Sequence, residues 1–366
     1  FFLHAEDGKR DAQESRGLGD VYKRQILMSK KRLIIIGSGM TGITLASNLD
    51  PEKFEIQILD KGRGVGGRMA SKTIFVDNKE FRYDYGAQFF TVRSKEFGDQ
   101  VSEWEMKKLV KVWCNGFENN DGHNRYMSTN GMRDLLGNIS SGLNIQQNQK
   151  VTKIEYFDDY WRLGTSRANF ESELLVITTP LPQCVELLKT IPTFDHHDSL
   201  DEIKKIEYKK CIALIMTMGS ESNFDSPGAY QMMDEDWDFV SDNKIKGISP
   251  NTCVTAHASN ALSERLWNDD EAKIKDQLVD KIKNRFNIKP EHSFLHKWLY
   301  AQSYKNLEGY FKKMNSSNSS FKSHQAWMLE LQTYVVENIK YDSQADYLNL
   351  VDTLRILCET DFEGVR

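Results

Sequence analysis

The chain has 366 residues, 28% of them charged and 39% apolar, with a formal net charge of −5. That length accommodates two domains with a sizeable core, and the acidic balance excludes the broad basic footprint of a nucleic-acid binder. No apolar run approaches the ~18 residues of a membrane-spanning helix, and the five cysteines are scattered without a CxxC pair. This cysteine usage argues against a metal site or a disulfide frame and suits a reducing, cytoplasmic compartment.

Residues 1–27 show neither the charged start and apolar stretch of a signal peptide nor an amphipathic period. They resemble a recurrent translated adapter sequence, with Met28 as the expected start of the folded part; a genuine disordered leader is the alternative. From Leu33 to Ile36 the residues are uniformly apolar and β-branched-rich, which predicts a strand buried on both faces. Gly37, Ser38, Gly39, Met40, Thr41 and Gly42 follow with GxGxxG spacing. Gly37 permits the tight turn, Gly39 admits a pyrophosphate to the backbone, and Gly42 lets the next helix pack on the strand. That helix begins near Met40, presents Ile43, Leu45, Ala46 and Leu49 on one face, and stops at Asp50-Pro51. Its first amides point at the phosphates. A second strand, 54–59, ends at Asp60, 18 residues after Gly42, where a carboxylate can accept the ribose hydroxyls of an adenosine. The fingerprint alone does not separate NAD from FAD.

After Lys61, the glycines at 62, 64, 66 and 67 preclude a helix or a regular strand, so a loop here brings main chain close to a ligand. It runs into Arg68, whose planar fork can donate to two diphosphate oxygens at once. Met69, like Met40, stands beside a glycine loop, and both side chains are expected to pack. This Gly67-Arg68 segment resembles that of the amine oxidase-like flavoproteins, whose Gly-Gly-Arg loop wraps the FAD pyrophosphate. FAD is therefore the expected cofactor.

The longer run "DKGRGVGGRMAS…YDYGAQFFTVR" resembles the renalase family, particularly its bacterial branch. "GMRDLL" at 131–136, "LLVITTPLPQ" at 174–183, "HASNALSERLW" at 257–267 and "HKWLYA" at 296–301 continue the likeness in the same order, over roughly residues 30–301. The resemblance implies a p-hydroxybenzoate hydroxylase-like fold, with a Rossmann-type FAD-binding domain interleaved with an α+β substrate domain on a mixed or antiparallel sheet. It implies oxidation of isomeric dihydronicotinamide dinucleotides to NAD(P)+, with molecular oxygen as reoxidant. It also places Tyr85, Gly86 and Gln88 in a loop near the flavin ring and Val151 on the adenine side. His257 and Trp298 would line the substrate cavity, with no acid or base assigned; Gln183 is a weaker candidate. A flavin amine oxidase or a desaturase-like oxidoreductase shares the same N-terminal half. An inactive FAD-binding scaffold is the contrasting class.

The expected division is residues 28–95 with 143–183, and a residual part at about 340–366, for FAD, and 96–142 with 184–301 for substrate. Residues 302–340 carry no clear landmark and are partly flexible in expectation. The apolar positions of 96–113 fit one helix, 125–140 reads as strand then helix, and 143–182 contains successive strands with a turn at Asp158-Asp159. Segments 208–218 and 251–258 read as strands of the second sheet, covered by an amphipathic helix over 270–286. Proteins of the resembled group close with a Gly-Asp motif and a helix. Here Glu359 and Thr360 stand in that region and Asp361 is one place late, so weak FAD retention is expected of a truncated or divergent chain.

Overall fold

The computed structural model describes residues 30–92, 95–117, 122–157, 160–191, 206–231 and 234–303, with the main chain of 311–314 and 326–329. The expectations for residues 1–27, for Asp158-Asp159 and for 330–366, Glu359 to Asp361 included, lie outside the described residues.

Strand β1 (Lys31–Ile36), helix α1 (Met40–Asn48) and β2 (Phe54–Leu59) form the expected unit, β1 and β2 parallel with Ile36 beside Leu59. Strands β3 (Ser71–Val76) and β4 (Lys79–Asp84) make a hairpin turning on Asp77 and Asn78, both at positive φ. Next come α2 (Lys95–Met106), the antiparallel pair β5 (Val110–Cys114) and β6 (Arg125–Ser128), and α3 (Met132–Ile139). β7 (Ile145–Gln146) pairs with β2, while β8 (Val151–Phe157), β9 (Tyr160–Thr165) and β10 (Asn169–Ser172) form a separate antiparallel sheet. β11 (Leu174–Ile177) returns parallel to β1, and α4 (Leu181–Leu188) starts directly after Pro180.

The second half holds β12 (Tyr208–Thr217), β13 (Ala229–Gln231), β14 (Trp237–Asp242), β15 (Cys253–Ala258), α5 (Asn260–Leu266), α6 (Glu271–Phe286) and β16 (His292–Ser303). Its strands form one antiparallel sheet in the order β13-β14-β15-β12-β16. Strands β17 (Phe311–Met314) and β18 (Ala326–Leu329) extend the first sheet beyond β11, giving β17-β18-β11-β1-β2-β7. The fold is thus a Rossmann-type domain interleaved with an α+β domain on an antiparallel sheet.

Alternation along β12 explains how the second sheet serves two neighbours. Ile212, Leu214 and Met216 pack with Val254 and Ala256 against Ile274, Leu278 and Ile282 of α6. Each such aliphatic side chain contributes roughly 1.5–3 kcal/mol when fully buried, as an upper bound. Ala213 and Ile215 point the other way, onto Phe81 and Tyr83 of β4. The sheet is therefore clamped between α6 and the β3-β4 hairpin, and the hairpin's exit loop runs beneath it.

One expectation from sequence is corrected. The helix expected over 96–113 ends at Met106; Lys108 takes φ +58 and Val110–Cys114 is a strand. Val110 and Val112 prefer a pleated surface, and the partner β6 lies beyond the window in which a helical period is read. The segment 96–142, grouped on sequence with the substrate part, buries Phe97, Val101, Trp104, Met127, Met132 and Leu135 in the same cluster as Leu33, Ile35, Ile43 and Ile58. By packing it covers one face of the Rossmann sheet.

Candidate functional site

The cradle after β1 is set by main-chain approach. Gly37 adopts φ +113, and a Cβ on Gly42 would lie 2.0 Å from the Gly37 carbonyl oxygen, so neither position admits another residue without moving backbone. Asp60, at the end of β2, accepts Ser38 N–H at 2.6 Å and Ser38 Oγ–H at 2.7 Å on Oδ2, and Gly62 N–H at 2.6 Å on Oδ1. It therefore ties the first glycine turn to the second. Oδ1, with a single donor, retains acceptor capacity toward a ribose hydroxyl. The hydroxyls of Thr41, in the first turn of α1, and Thr179, just beyond β11, have no hydrogen-bond partner among the described residues. Close backbone, an anchored carboxylate and unpartnered buried hydroxyls fit the adenosine diphosphate end of a dinucleotide.

The second glycine cluster closes over this cradle. Gly66 and Gly67 take φ +125 and +52, and Gly66 N–H donates to the Ser38 carbonyl at 3.0 Å. Arg68 is buried, with Nη1 donating to the Ala301 carbonyl of β16 at 3.1 Å, so the loop also reaches the second sheet. Met40 and Met69 are buried in the apolar core, leaving their main chain to the loops. Lys61 Nζ donates to Gln183 Oε1 at 2.9 Å, bringing two separately named candidates together. Val151 is buried against the sheet's opposite cluster with Ile36 and Leu59.

Residues 85–88 connect the cradle to the second sheet. Tyr85 N–H donates to the Ala70 carbonyl at 3.0 Å and Ala87 N–H to the Arg68 carbonyl at 2.8 Å. Gly86 is required for that approach, since a Cβ there would sit 1.9 Å from the Arg68 carbonyl oxygen. On the sheet side, the Tyr85 carbonyl accepts the Trp298 indole N–H at 2.8 Å and lies 3.2 Å from His257 Nε2, which makes Nε2–H the donor. The Tyr85 ring stacks on Trp298 at 5.6 Å and meets His296 edge-on at 4.8 Å. Tyr85, His257 and Trp298 are thus brought together as one corner.

Gln88, in the same loop, turns its side chain into the protein. Its amide N–H groups go to the Asp84 and Gly86 carbonyls, while Oε1 accepts from Ser241 and Lys246. The side chain is turned into the protein because the buried Lys246 ammonium needs acceptors.

Four residues at or beside the site escaped the sequence reading. His296 completes the aromatic corner; burial, and then the nearby Lys72 charge, lower its pKa, which keeps the imidazole neutral at neutral pH. Its position two residues before Trp298 on one strand places both side chains on the same face, and that period-2 rule was the available signal. Arg133 lies along the second glycine loop, with Nη1 3.7 Å from where a Gly64 Cβ would be. The Asp84–Lys246 ion pair joins residues too far apart in sequence to be paired by inspection.

A Rossmann cradle joined by a short loop to a sheet with an aromatic corner defines a dinucleotide-dependent oxidoreductase. Residues 97–306 match the family model of flavin containing amine oxidoreductases, and residues 35–103 match an NAD(P)-binding Rossmann-like domain. The first match spans more than half of the sequence, and the chain belongs to the flavin-containing amine oxidoreductases. It is 22% identical to renalase of Mus musculus over 291 residues, covering 74% of this chain and 85% of that protein. A fatty acid isomerase structure from P. acnes superposes with a TM-score of 0.52 at 12% identity, covering 74% of this chain and 86% of the other. Cyclohexylamine oxidase from Brevibacterium oxydans IH-35A gives 0.51 at 10% identity, covering 74% and 85%. Those two likenesses show the fold. The protein is an FAD-dependent, renalase-like oxidoreductase acting on a small molecule. Among the described residues no helix is long and apolar enough to cross a membrane.

Proposed function

We propose that the chain is an oxidase of renalase type, which oxidises isomeric dihydronicotinamide dinucleotides to NAD(P)+ and uses molecular oxygen as the final acceptor. Gly37 to Gly42, Asp60, Lys61, Gly67 and Arg68 hold the cofactor's adenosine diphosphate end, with Val151 behind the adenine side. When bound, FAD takes the hydride and delivers the electrons to oxygen, giving hydrogen peroxide.

The observation that carries the substrate class is the corner formed by Tyr85, His257, His296 and Trp298. Aromatic faces and imidazole edges suit a flat, uncharged ring. Beside the corner, that face of the sheet carries Cys211, Ala213, Ile215 and Thr255, none of them a carboxylate. A dihydropyridine carries a transferable hydride without first losing a proton, so it needs no base; an ammonium substrate does. Trp298 and His257 orient the ring through the fixed Tyr85 carbonyl. The buried thiols Cys184 and Cys253 are compatible with a cytoplasmic setting.

Anaerobic mixing of the FAD-loaded protein with 2- and 6-dihydronicotinamide dinucleotides should bleach the flavin band near ~450 nm rapidly, whereas benzylamine and polyamines should not. Bleaching by the amines and not by the dinucleotides would move the protein to the amine-oxidising members of its family.

A further inference from the structure

Asp84 and Lys246 form an ion pair at 2.7 Å with both side chains fully buried. Burial lowers the Lys246 pKa, and the Asp84 charge opposes that shift. Taking two charges out of water costs several kcal/mol each, and apolar side chains of the same volume commonly hold a fold as well. Stability alone therefore does not account for the pair.

Its bonds converge on the loop that carries Tyr85. Lys246, in the turn after β14, donates to Asp84 Oδ2, to the Gln88 carbonyl at 2.7 Å and to Gln88 Oε1 at 3.2 Å, and sits 4.6 Å from the Trp113 ring centroid. Asp84 Oδ1 accepts Ser71 Oγ–H at 2.5 Å and Met132 N–H at 2.8 Å, which fastens it to the end of the glycine loop and the start of α3. The Asp84 main chain is held as well: its carbonyl accepts Thr255 Oγ–H at 2.9 Å, and its N–H donates to Asn243 Oδ1 at 3.3 Å. Residues 84 and 88 are thus pinned at both ends, and the Tyr85 carbonyl that receives Trp298 and His257 lies between them.

We propose that Asp84 and Lys246 are positioning residues, a buried latch between the cofactor half and the substrate sheet that fixes the Tyr85 carbonyl and the aromatic corner for substrate capture. The latch acts through Tyr85 and touches neither cofactor nor substrate. It rests on the reading above that this corner receives the substrate ring.

The test uses the FAD-loaded protein. Removing one partner alone strands a buried charge, so the informative variant is Asp84→Asn with Lys246→Met, which removes both charges at nearly constant volume. Amide hydrogen exchange over residues 85–88 should accelerate by roughly tenfold or more, while exchange in α6 stays unchanged. Half-saturation for flavin bleaching by the dihydronicotinamide dinucleotides should rise roughly tenfold, with FAD retained and the limiting rate within about threefold. Thr255→Val, isosteric and uncharged, should move both readouts in the same direction by a smaller amount and covers the case in which the double variant does not fold. Wild-type exchange and half-saturation in the variants that fold would reduce the pair to packing and overturn the proposal. FAD loss from Thr255→Val would overturn it too, by assigning the loop to cofactor retention. If the dinucleotides fail to bleach the wild-type protein, the functional reading fails, and the exchange comparison still decides on the latch.

Discussion

Trp298 donates its indole N–H to the Tyr85 carbonyl at 2.8 Å while the two rings stack 5.6 Å apart at 22°. The acceptor belongs to the loop leaving the cofactor cradle, and the donor to the edge strand of the second sheet. This pair therefore joins the two halves of the site directly, beside the Arg68–Ala301 and His257–Tyr85 contacts.

Replacing Trp298 separates its two contributions. An aromatic pair and a hydrogen bond each contribute roughly 0.5–1.5 kcal/mol, so Trp298→Ala should raise substrate half-saturation roughly 5- to 150-fold with FAD retained. Trp298→Phe keeps the ring face and should lose less. Anaerobic titration of flavin bleaching measures both, and release of FAD from the alanine variant would place Trp298 in the structural core instead.

Glycine substitutions should divide sharply by location. In Gly86→Ala the new Cβ would lie 1.9 Å from the Arg68 carbonyl and 3.1 Å from Ala70 N, so backbone must move; the expected cost is ~1–3 kcal/mol or more, with FAD affinity reduced. Gly137, on the exposed side of α3, has open space within 4 Å of its Cβ position, and Gly137→Ala should stabilise by ~0.5–1 kcal/mol through helix propensity. Denaturant midpoints of the two variants should shift in opposite directions. A Gly86→Ala midpoint at or above that of the wild-type protein would contradict the close approach at Gly86.

For Asp60→Ala, the three hydrogen bonds to Ser38 and Gly62 vanish together with the proposed ribose contact. FAD affinity should fall by ~1.5–3 kcal/mol, roughly 10- to 150-fold. Asp60→Asn keeps an acceptor and should fall between. An unchanged dissociation constant by fluorescence titration would remove Asp60 from the cofactor site.

The cradle was legible because its determinants are local: a buried strand, spaced glycines and an acid at fixed separation are each read from neighbouring residues. The amphipathic period of α6 was legible for the same reason, and its start is fixed by Asp270, whose carboxylate accepts the Ala272 and Lys273 amides. Other features depend on partners far along the chain. Val110–Cys114 becomes a strand because Arg125–Ser128 lies beside it. Gln88 turns inward because Lys246, 158 residues later, needs an acceptor. The spacing of His296 from Trp298 puts both on one face of a strand, but only the sheet register, with His296 and His257 both opposite Ala213, brings His257 onto that face.

His296 gives the last prediction, a pH dependence of stability. Its ring lies 4.8 Å from Tyr85 and 4.3 Å from Trp298, and burial, followed by the Lys72 charge on β3, lowers its pKa below the ordinary 6.5. In the unfolded chain the imidazole takes up a proton near that ordinary value, while in the folded protein it does so only at lower pH. Between the two the unfolded state binds more protons, so stability rises with pH. This contribution is fully present above about pH 6.5 and is lost as the pH falls toward the folded-state value. Urea midpoints should therefore drop between neutral pH and roughly pH 5.5 by more in the wild-type protein than in His296→Phe, which has no proton to take up. Lys72→Met removes the opposing charge and should reduce the drop without abolishing it, because burial is the larger cause. Identical pH profiles for the wild-type protein and His296→Phe would show that the fold leaves the imidazole's pKa unshifted, and the case for burial holding the ring neutral beside Trp298 would fail.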